Sequence, residues 1–347
     1  MSQSAPNSAN PQSQYSDNPV LVRVWRGNEI ESVHRGAWAL VDSDGLVIKG
    51  AGDYFSPIFA RSTVKSLQAL PLFETGAAEK INLESDEIAL AISSHNAEPC
   101  HTEVVSGLLE RLDLGVEHLR CGVQQPGDRK TRLRMNAEGQ AATALHNNCS
   151  GKHAGFLALS RHLGVEPANY LDPNSAGQKL IRQAVADMCG VDADLMSSAI
   201  DGCSAPTFRM PLFSLGRGFA RVTNPVQNGS ERGNWCKVMQ TAIAKHPELV
   251  AGNHRRIDTD LIRATNGRLF PKVGAEAVYA VGEVGGGRAL AVKIDDGGLR
   301  GMHRVVIGLL EQLEMLSSDE LEKLEAWRNP IVKNFAGLEV GREELLI

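Results

Sequence analysis

The chain has 347 residues, 42% of them hydrophobic and 22% charged, with a formal net charge of −5 and a pI near 6.1. That length and apolar content can bury a sizeable core, while the lack of a basic excess argues against a nucleic-acid partner. No apolar run approaches the length of a membrane span, so no membrane partner is expected.

Residues 1–18 are rich in Ser, Asn, Gln and Pro, a composition that predicts a disordered tail ahead of a single domain over 19–347. They carry no apolar h-region of a secretory signal. The six cysteines, Cys100, Cys121, Cys149, Cys189, Cys203 and Cys236, are too sparse for a secreted disulfide scaffold. The expected setting is the cytoplasm.

Runs of strand-forming residues predict strands at 20–24, 38–41 and 46–48, with Asp44-Gly45 turning between the last two, in an antiparallel meander. Helical periodicity follows at 62–74, 102–112, 151–163, 176–188, 234–244 and 258–264. Residues 277–281 and 289–294 flank Gly285-Gly286-Gly287 as a hairpin, and 302–315 reads as a strongly amphipathic terminal helix. Strands, many helices, then strands and a helix suit an α+β layered fold. The glycine run lacks the following Lys-Ser/Thr of a phosphate-binding loop and the strand-to-helix context of a dinucleotide fingerprint, so it reads as a turn.

Three short signatures lie on this framework: Ser62-Thr63-Val64-Lys65, Ser94-His95-Asn96 and Lys272-Val273-Gly274. In order they spell S-x-x-K, S-x-N and K-x-G, much like the set around the nucleophile of penicillin-binding proteins and serine β-lactamases. They point to an acyl-transfer hydrolase. A serine hydroxyl is a weak nucleophile at neutral pH and needs a base beside it. A lysine serves when burial or a second cation lowers its pKa. If 62–74 is helical, Ser62 and Lys65 share a face one turn apart. Each signature alone arises easily by chance, and the plain reading of the first is a first-turn serine with a solvated lysine. Loop signals over 51–57 favour a serine at a loop-to-helix junction, well placed to point into a cleft.

The run His146-Asn147-Asn148-Cys149-Ser150-Gly151-Lys152-His153-Ala154-Gly155-Phe156 places polar and metal-binding side chains ahead of an apolar stretch. It predicts a helix N-terminus near Cys149 or Ser150, which favours anions and thiolates. The alternative is simple capping by Asn148 or Ser150, with His153 packed inside. Asp201-Gly202-Cys203-Ser204-Ala205-Pro206-Thr207 reads as a loop whose Asp201 either reaches a substrate amine or sits in solvent.

HNNCSGKHAGF, DGCSAPTF, RSTVKSLQALPL, AISSHNAEP and KVGAEAVYAVG together resemble the rhizobial-type L-asparaginases, the third structural class of asparaginase, from about residue 19 onward. The resemblance implies a fold similar to serine β-lactamases, penicillin-binding proteins and glutaminases: an α+β layered fold, its antiparallel sheet covered by helices, in a single catalytic domain. It implies two Ser-Lys pairs, Ser62 with Lys65 and Ser94 with Lys272, and pocket roles for Arg61, His153 and Asp201. It further implies zinc on Cys149, Lys152 and Cys203, and a homodimer. GAEA just after Lys272 departs from the GAEG expected of the family.

Spacing alone does not predict that zinc, because the two cysteines lie far apart and a lysine must lose its proton to bind. Buried inert thiols are the alternative. Two thiolates, an amine and a water would leave one exchangeable position, the pattern of a catalytic or substrate-organising zinc. The expected reaction converts L-asparagine to L-aspartate and ammonia, with Asp201 near the α-amine and Arg61 near the α-carboxylate. A serine attacks the side-chain amide and water hydrolyses the acyl-enzyme. Ser62 with Lys65 is the favoured pair and Ser94 the second choice. The competing readings are a serine β-lactamase or peptidase-like acyl hydrolase, a thiol amidohydrolase using Cys149 with His153, and a non-catalytic amino-acid-binding protein.

Overall fold

The structure, a computed structural model, describes residues 18–224 and 230–347. Its strands are β1 (Val20–Arg26), β2 (Glu29–Asp42), β3 (Val47–Ala51), β4 (Pro57–Phe59), β5 (Ser198–Ile200), β6 (Pro206–Pro211), β7 (Leu269–Gly274), β8 (Val278–Glu283), β9 (Arg288–Ile294), β10 (Ile331–Lys333) and β11 (Glu339–Leu345). The first helices are α1 (Lys65–Glu74), α2 (Ala77–Lys80), α3 (Ser85–Ala91), α4 (Pro99–Arg111), α5 (Arg129–Ala137), α6 (Ser150–His162) and α7 (Ala176–Cys189). They are followed by α8 (Leu212–Thr223), α9 (Ser230–Lys245), α10 (Pro247–Ala251), α11 (Ile257–Ala264), α12 (Leu299–Gln312), α13 (Ser318–Lys323) and α14 (Glu325–Arg328). A 3-10 turn, Arg61–Val64, leads into α1.

The main sheet is antiparallel in the order β10-β11-β1-β2-β9-β8-β7, with β3 also paired to β2, and β4-β6-β5 make a small second sheet. β2 pairs through its first half with β1 and through its second with β9 and β3. Gly36 stands at the changeover, where a Cβ would meet Lys293 O at 2.3 Å, so only glycine permits the close strand approach.

Side chains alternate between two apolar clusters. On β9, Ala289 and Ala291 join one, while Leu290, Val292 and Ile294 join the other; on β8, Val278 and Ala280 oppose Tyr279 and Val281. A strand apolar on both faces needs helices on both. The small-residue face takes α8, whose Gly216 lies so close that a Cβ would sit 3.0 Å from Val41. The large-residue face takes α12, through Met302, Val305, Val306, Leu309 and Leu310. The result is an α+β layered fold with an antiparallel sheet covered by helices.

The sequence reading places β1, β3, the glycine hairpin and six helices within a few residues of their observed ends, but it catches only the second half of β2, which starts at Glu29 and not at 38, and it misses α8. Gly216 and Gly218 look like helix breakers; in the fold they are what lets α8 lie against the sheet and α7. Nor is the amphipathic helix at 302–315, observed as α12, the terminal element. The chain returns as β11 to cover the edge of β1, satisfying a strand that would otherwise be open. Of the expected tail, residues 1–17 lie outside the described residues. Asn18 does not share a tail's character: it is buried, donates to Asp295 Oδ1 at 2.9 Å and accepts the Asp53 N–H at 2.7 Å. Among the described residues no helix is long and apolar enough to cross a membrane.

Near the edge strand β7, the start of α1, the segment after α3 and the start of α6 converge. α6 passes α3 at Gly151, where a Cβ would lie 2.4 Å from Leu90 O. Gly151→Ala should therefore force α6 away from this junction and cost about 2 kcal/mol of stability. Chemical denaturation reads this directly, and an unchanged midpoint would mean that the contact relaxes freely.

Candidate active site

Burial of charge organises this junction. An ammonium taken from water has to be given acceptors. Lys65, 1% exposed at the first position of α1, donates to Ser93 O at 2.5 Å, Ser94 Oγ at 3.0 Å and Asn148 O at 3.4 Å. Lys272, 3% exposed on β7, donates to the same Ser94 Oγ at 2.9 Å and to Val273 O at 2.9 Å. Ser94 is fixed through its backbone: its N–H donates to Val250 O at 3.0 Å and Arg256 donates to its carbonyl at 2.8 Å. One buried hydroxyl is thus held between two buried amines.

Burial pulls the Lys272 amine down to about 7; the Lys65 and Arg256 cations push the same way, while Asp258, 3.8 Å distant, opposes them. Burial also lowers Lys65. An amine that sheds its proton near neutrality can accept the Ser94 proton while its neighbour still donates to the oxygen.

Ser62 occupies the 3-10 turn, whose three-residue period puts it on the side of Lys65. The expected shared face is there, and the Lys65 N–H donates to the Ser62 carbonyl, yet among the described residues no hydrogen bond joins the two side chains. The long lysine runs past the partly exposed serine to the deeper acceptors. Ser62 and Ser94 open on one cavity of about 260 Å³, lined also by Asn148, Arg255, Arg256, Asp258 and His303. Burial pushes His303 down to about 4, so its ring is neutral at ordinary pH. A larger hollow of about 620 Å³ lies elsewhere, against Glu84, Glu87, Glu110 and Arg111, and contains none of this chemistry.

The sequence reading assigns no role to Arg255, Arg256, Asp258 or His303. Asp258 did carry a signal: it falls on the apolar stripe of α11 with Leu261 and Ile262, where an ionisable side chain is out of place.

Cys149 caps the N-terminus of α6, Lys152 lies in its first turn, and Cys203 comes from the loop between β5 and β6; all three are buried. Lys152 Nζ donates to Cys203 Sγ at 3.1 Å. A hydrogen bond with Cys203, then the Lys65 and Lys152 cations, hold the Cys149 thiol well below its usual range. Against burial, the two sulfurs keep the Lys152 amine above its ordinary value. Two sulfurs and one amine, dry and brought together, offer three of the four donors of a tetrahedral zinc site, so the donor set fits once Lys152 gives up its proton. Among the described residues no three His, Cys, Asp or Glu side chains are grouped to hold a metal, so the amine would be required.

The expected pocket residues are all beside this trio. Arg61 Nε donates to Asp201 Oδ1 at 2.5 Å, and the other oxygen of Asp201 accepts from the Cys203 thiol at 3.6 Å. Arg61 and Asp201 therefore satisfy one another, and neither lines the cavity under Ser62 and Ser94. His153, fully buried and kept neutral by that burial, shares a 2.6 Å hydrogen bond through Nδ1 with the Tyr170 hydroxyl, while its Nε2 has no partner among the described residues. It too lies off the cavity.

A buried serine flanked by lysines in an α+β fold is an arrangement suited to acyl transfer, and comparison with known proteins supplies the class. Residues 22–345 match the L-asparaginase II profile. The chain belongs to the L-asparaginase II family, and with that membership it is a hydrolase acting on a linear amide, with L-asparagine as the substrate that the family implies. No curated protein matches it. Among solved structures, a β-lactamase from Mycobacterium bovis aligns at 14% identity with a TM-score of 0.42, over 80% of this chain and 94% of that one. Mglu, in its native form in the presence of 4.3 M NaCl, aligns at 13% identity and TM-score 0.37, over 81% of this chain and 61% of that one.

Arg61 is 23% exposed and Asp201 9%, and Asp201 also faces the buried Lys152 amine, so neutralising the carboxylate leaves both cations short of a counter-charge. Asp201→Asn should lower the unfolding free energy by about 3 kcal/mol, measured by urea titration. A midpoint equal to wild type would show the pair to be energetically idle.

Proposed function

We propose that the protein hydrolyses L-asparagine to L-aspartate and ammonia with Ser94 as nucleophile and Lys272 as its base. The observation that carries this reading is the pair of buried amines 2.9 and 3.0 Å from one hydroxyl oxygen. It puts Ser94 ahead of Ser62, the reverse of the order that sequence spacing favoured. Neutral Lys272 takes the Ser94 proton as Oγ bonds to the side-chain amide carbon. The Lys272 ammonium then protonates the amide nitrogen, the C–N bond breaks and ammonia leaves. Water adds to the resulting ester by the same proton route, and the ester bond breaks to free aspartate and Ser94. Ser62 presents its hydroxyl to the amide from across the cavity, and Arg255 and Arg256 supply cations for the α-carboxylate. The thiol alternative has less support: among the described residues no side-chain hydrogen bond joins Cys149 to the His153 ring, whose Nδ1 bonds the Tyr170 hydroxyl.

Ser94→Ala should lower kcat for ammonia release about 10⁴-fold, and Ser62→Ala only about tenfold. The opposite ranking would return the nucleophile to Ser62. In the wild type, kcat/KM should climb as pH rises through about 7, because Lys272 becomes competent only on losing its proton.

Zinc belongs to the same proposal. Cys149, Lys152 and Cys203 would hold it, and when bound it supplies a Lewis acid that organises polar groups of the substrate. Elemental analysis of purified protein should find about one zinc per chain, falling several-fold in Cys203→Ser; equal content in both proteins would remove the metal from this trio. A homodimer and a cytoplasmic setting complete the proposal, the first on the family resemblance and the second on cysteines too sparse for a secreted disulfide scaffold.

A further inference from the structure

Asp258 is fully buried in the first turn of α11. Such a carboxylate is costly unless its oxygens and its charge are matched. Oδ2 accepts the Val273 N–H at 3.0 Å and lies 3.8 Å from Lys272 Nζ; the Tyr279 side chain bears on the same carboxylate, and the residue lines the cavity that holds Ser62 and Ser94. Val273 follows Lys272 on β7, the outermost strand of the main sheet. Its N–H is therefore met by a side chain instead of a further strand.

We propose that Asp258 is the positioning residue for Lys272: one carboxylate anchors the backbone of the edge strand beside the lysine and sets a counter-charge behind its amine, aiming it at Ser94. This rests on the reading of Lys272 as the base. The charged and titratable groups around that amine are Lys65 at the start of α1, Arg256 ahead of α11, Asp258 on α11 and Cys149 at the start of α6. Tyr279 on β8 and His303 on α12 face Asp258 from the sheet and the helix beyond it. The two cations, Lys65 and Arg256, favour the neutral amine, whereas Asp258 favours the ammonium. The balance keeps Lys272 able to lose a proton and to regain it within one turnover.

Asp258→Asn keeps an oxygen for the Val273 N–H and removes the charge. The acid limb of kcat/KM should then move to lower pH by about one unit, and the plateau kcat should fall several-fold. Asp258→Glu should bring the limb back toward wild type. Arg256→Gln removes a cation near the same amine and should move the limb the other way, to higher pH. Limbs that superimpose on wild type in both neutralised variants overturn the proposal. If Asp258→Asn does not fold, an unmoved or lowered limb in Arg256→Gln overturns it alone. Lys272→Met separates the two levels. Ammonia release that survives in it removes Lys272 as the base, whereas loss of activity in it combined with unmoved limbs removes only the role of Asp258.

Discussion

Two ammonium-bearing side chains with a single hydroxyl between them, sealed from water, are the constraint the rest of the structure serves. Neither Lys65 nor Lys272 is stable in such a place by itself. The fold supplies Ser93 O, Asn148 O and Val273 O as acceptors, and Asp258 and the Cys149 thiolate as opposing charges. Burial in turn gives lysine the chemistry it lacks in water, because a desolvated amine sheds its proton near neutrality.

The same constraint explains the layering. Catalytic candidates come from α1, the segment after α3, α6 and β7, which are far apart in the chain. They meet because the alanine-rich face of β8 and β9 lets α8 and the helical layer behind it sit close to the sheet, while the larger face is reserved for α12. Glycine acts at the tightest points: Gly36 between β2 and β9, Gly216 under β2, and Gly151 against the end of α3. Each removes a side chain where two backbones must nearly touch.

The thiol-lysine trio and the serine between lysines are not separate sites. Lys65 hydrogen-bonds to Ser94 and interacts with Cys149, and Lys152 bears on Cys149, Cys203 and Asp201. A change of charge at the sulfurs is therefore felt at Ser94 through one side chain. Arg61 and Asp201 close the outer side of this network by pairing with each other, which leaves Arg255 and Arg256 as the cations on the cavity itself.

Much of the chemistry was determined by the sequence alone. The run from His146 to Phe156, the Ser/Lys signatures and the loop at Asp201 mark the residues that gather at the site, because polar side chains packed ahead of apolar runs have few other uses. Periodicity likewise located most helices and the meander. Tertiary structure decided which groups face one another. A three-residue spacing put Ser62 and Lys65 on one side, but only the folded interior, offering deeper acceptors, turned the Lys65 amine to Ser94. α8 was hidden because its glycines weaken a helix in isolation and favour it only against a sheet. Asp258 stood out only by falling on an apolar stripe and Arg256 not at all, because a charge acquires its role from what surrounds it once water is gone, and local spacing carries no record of those partners.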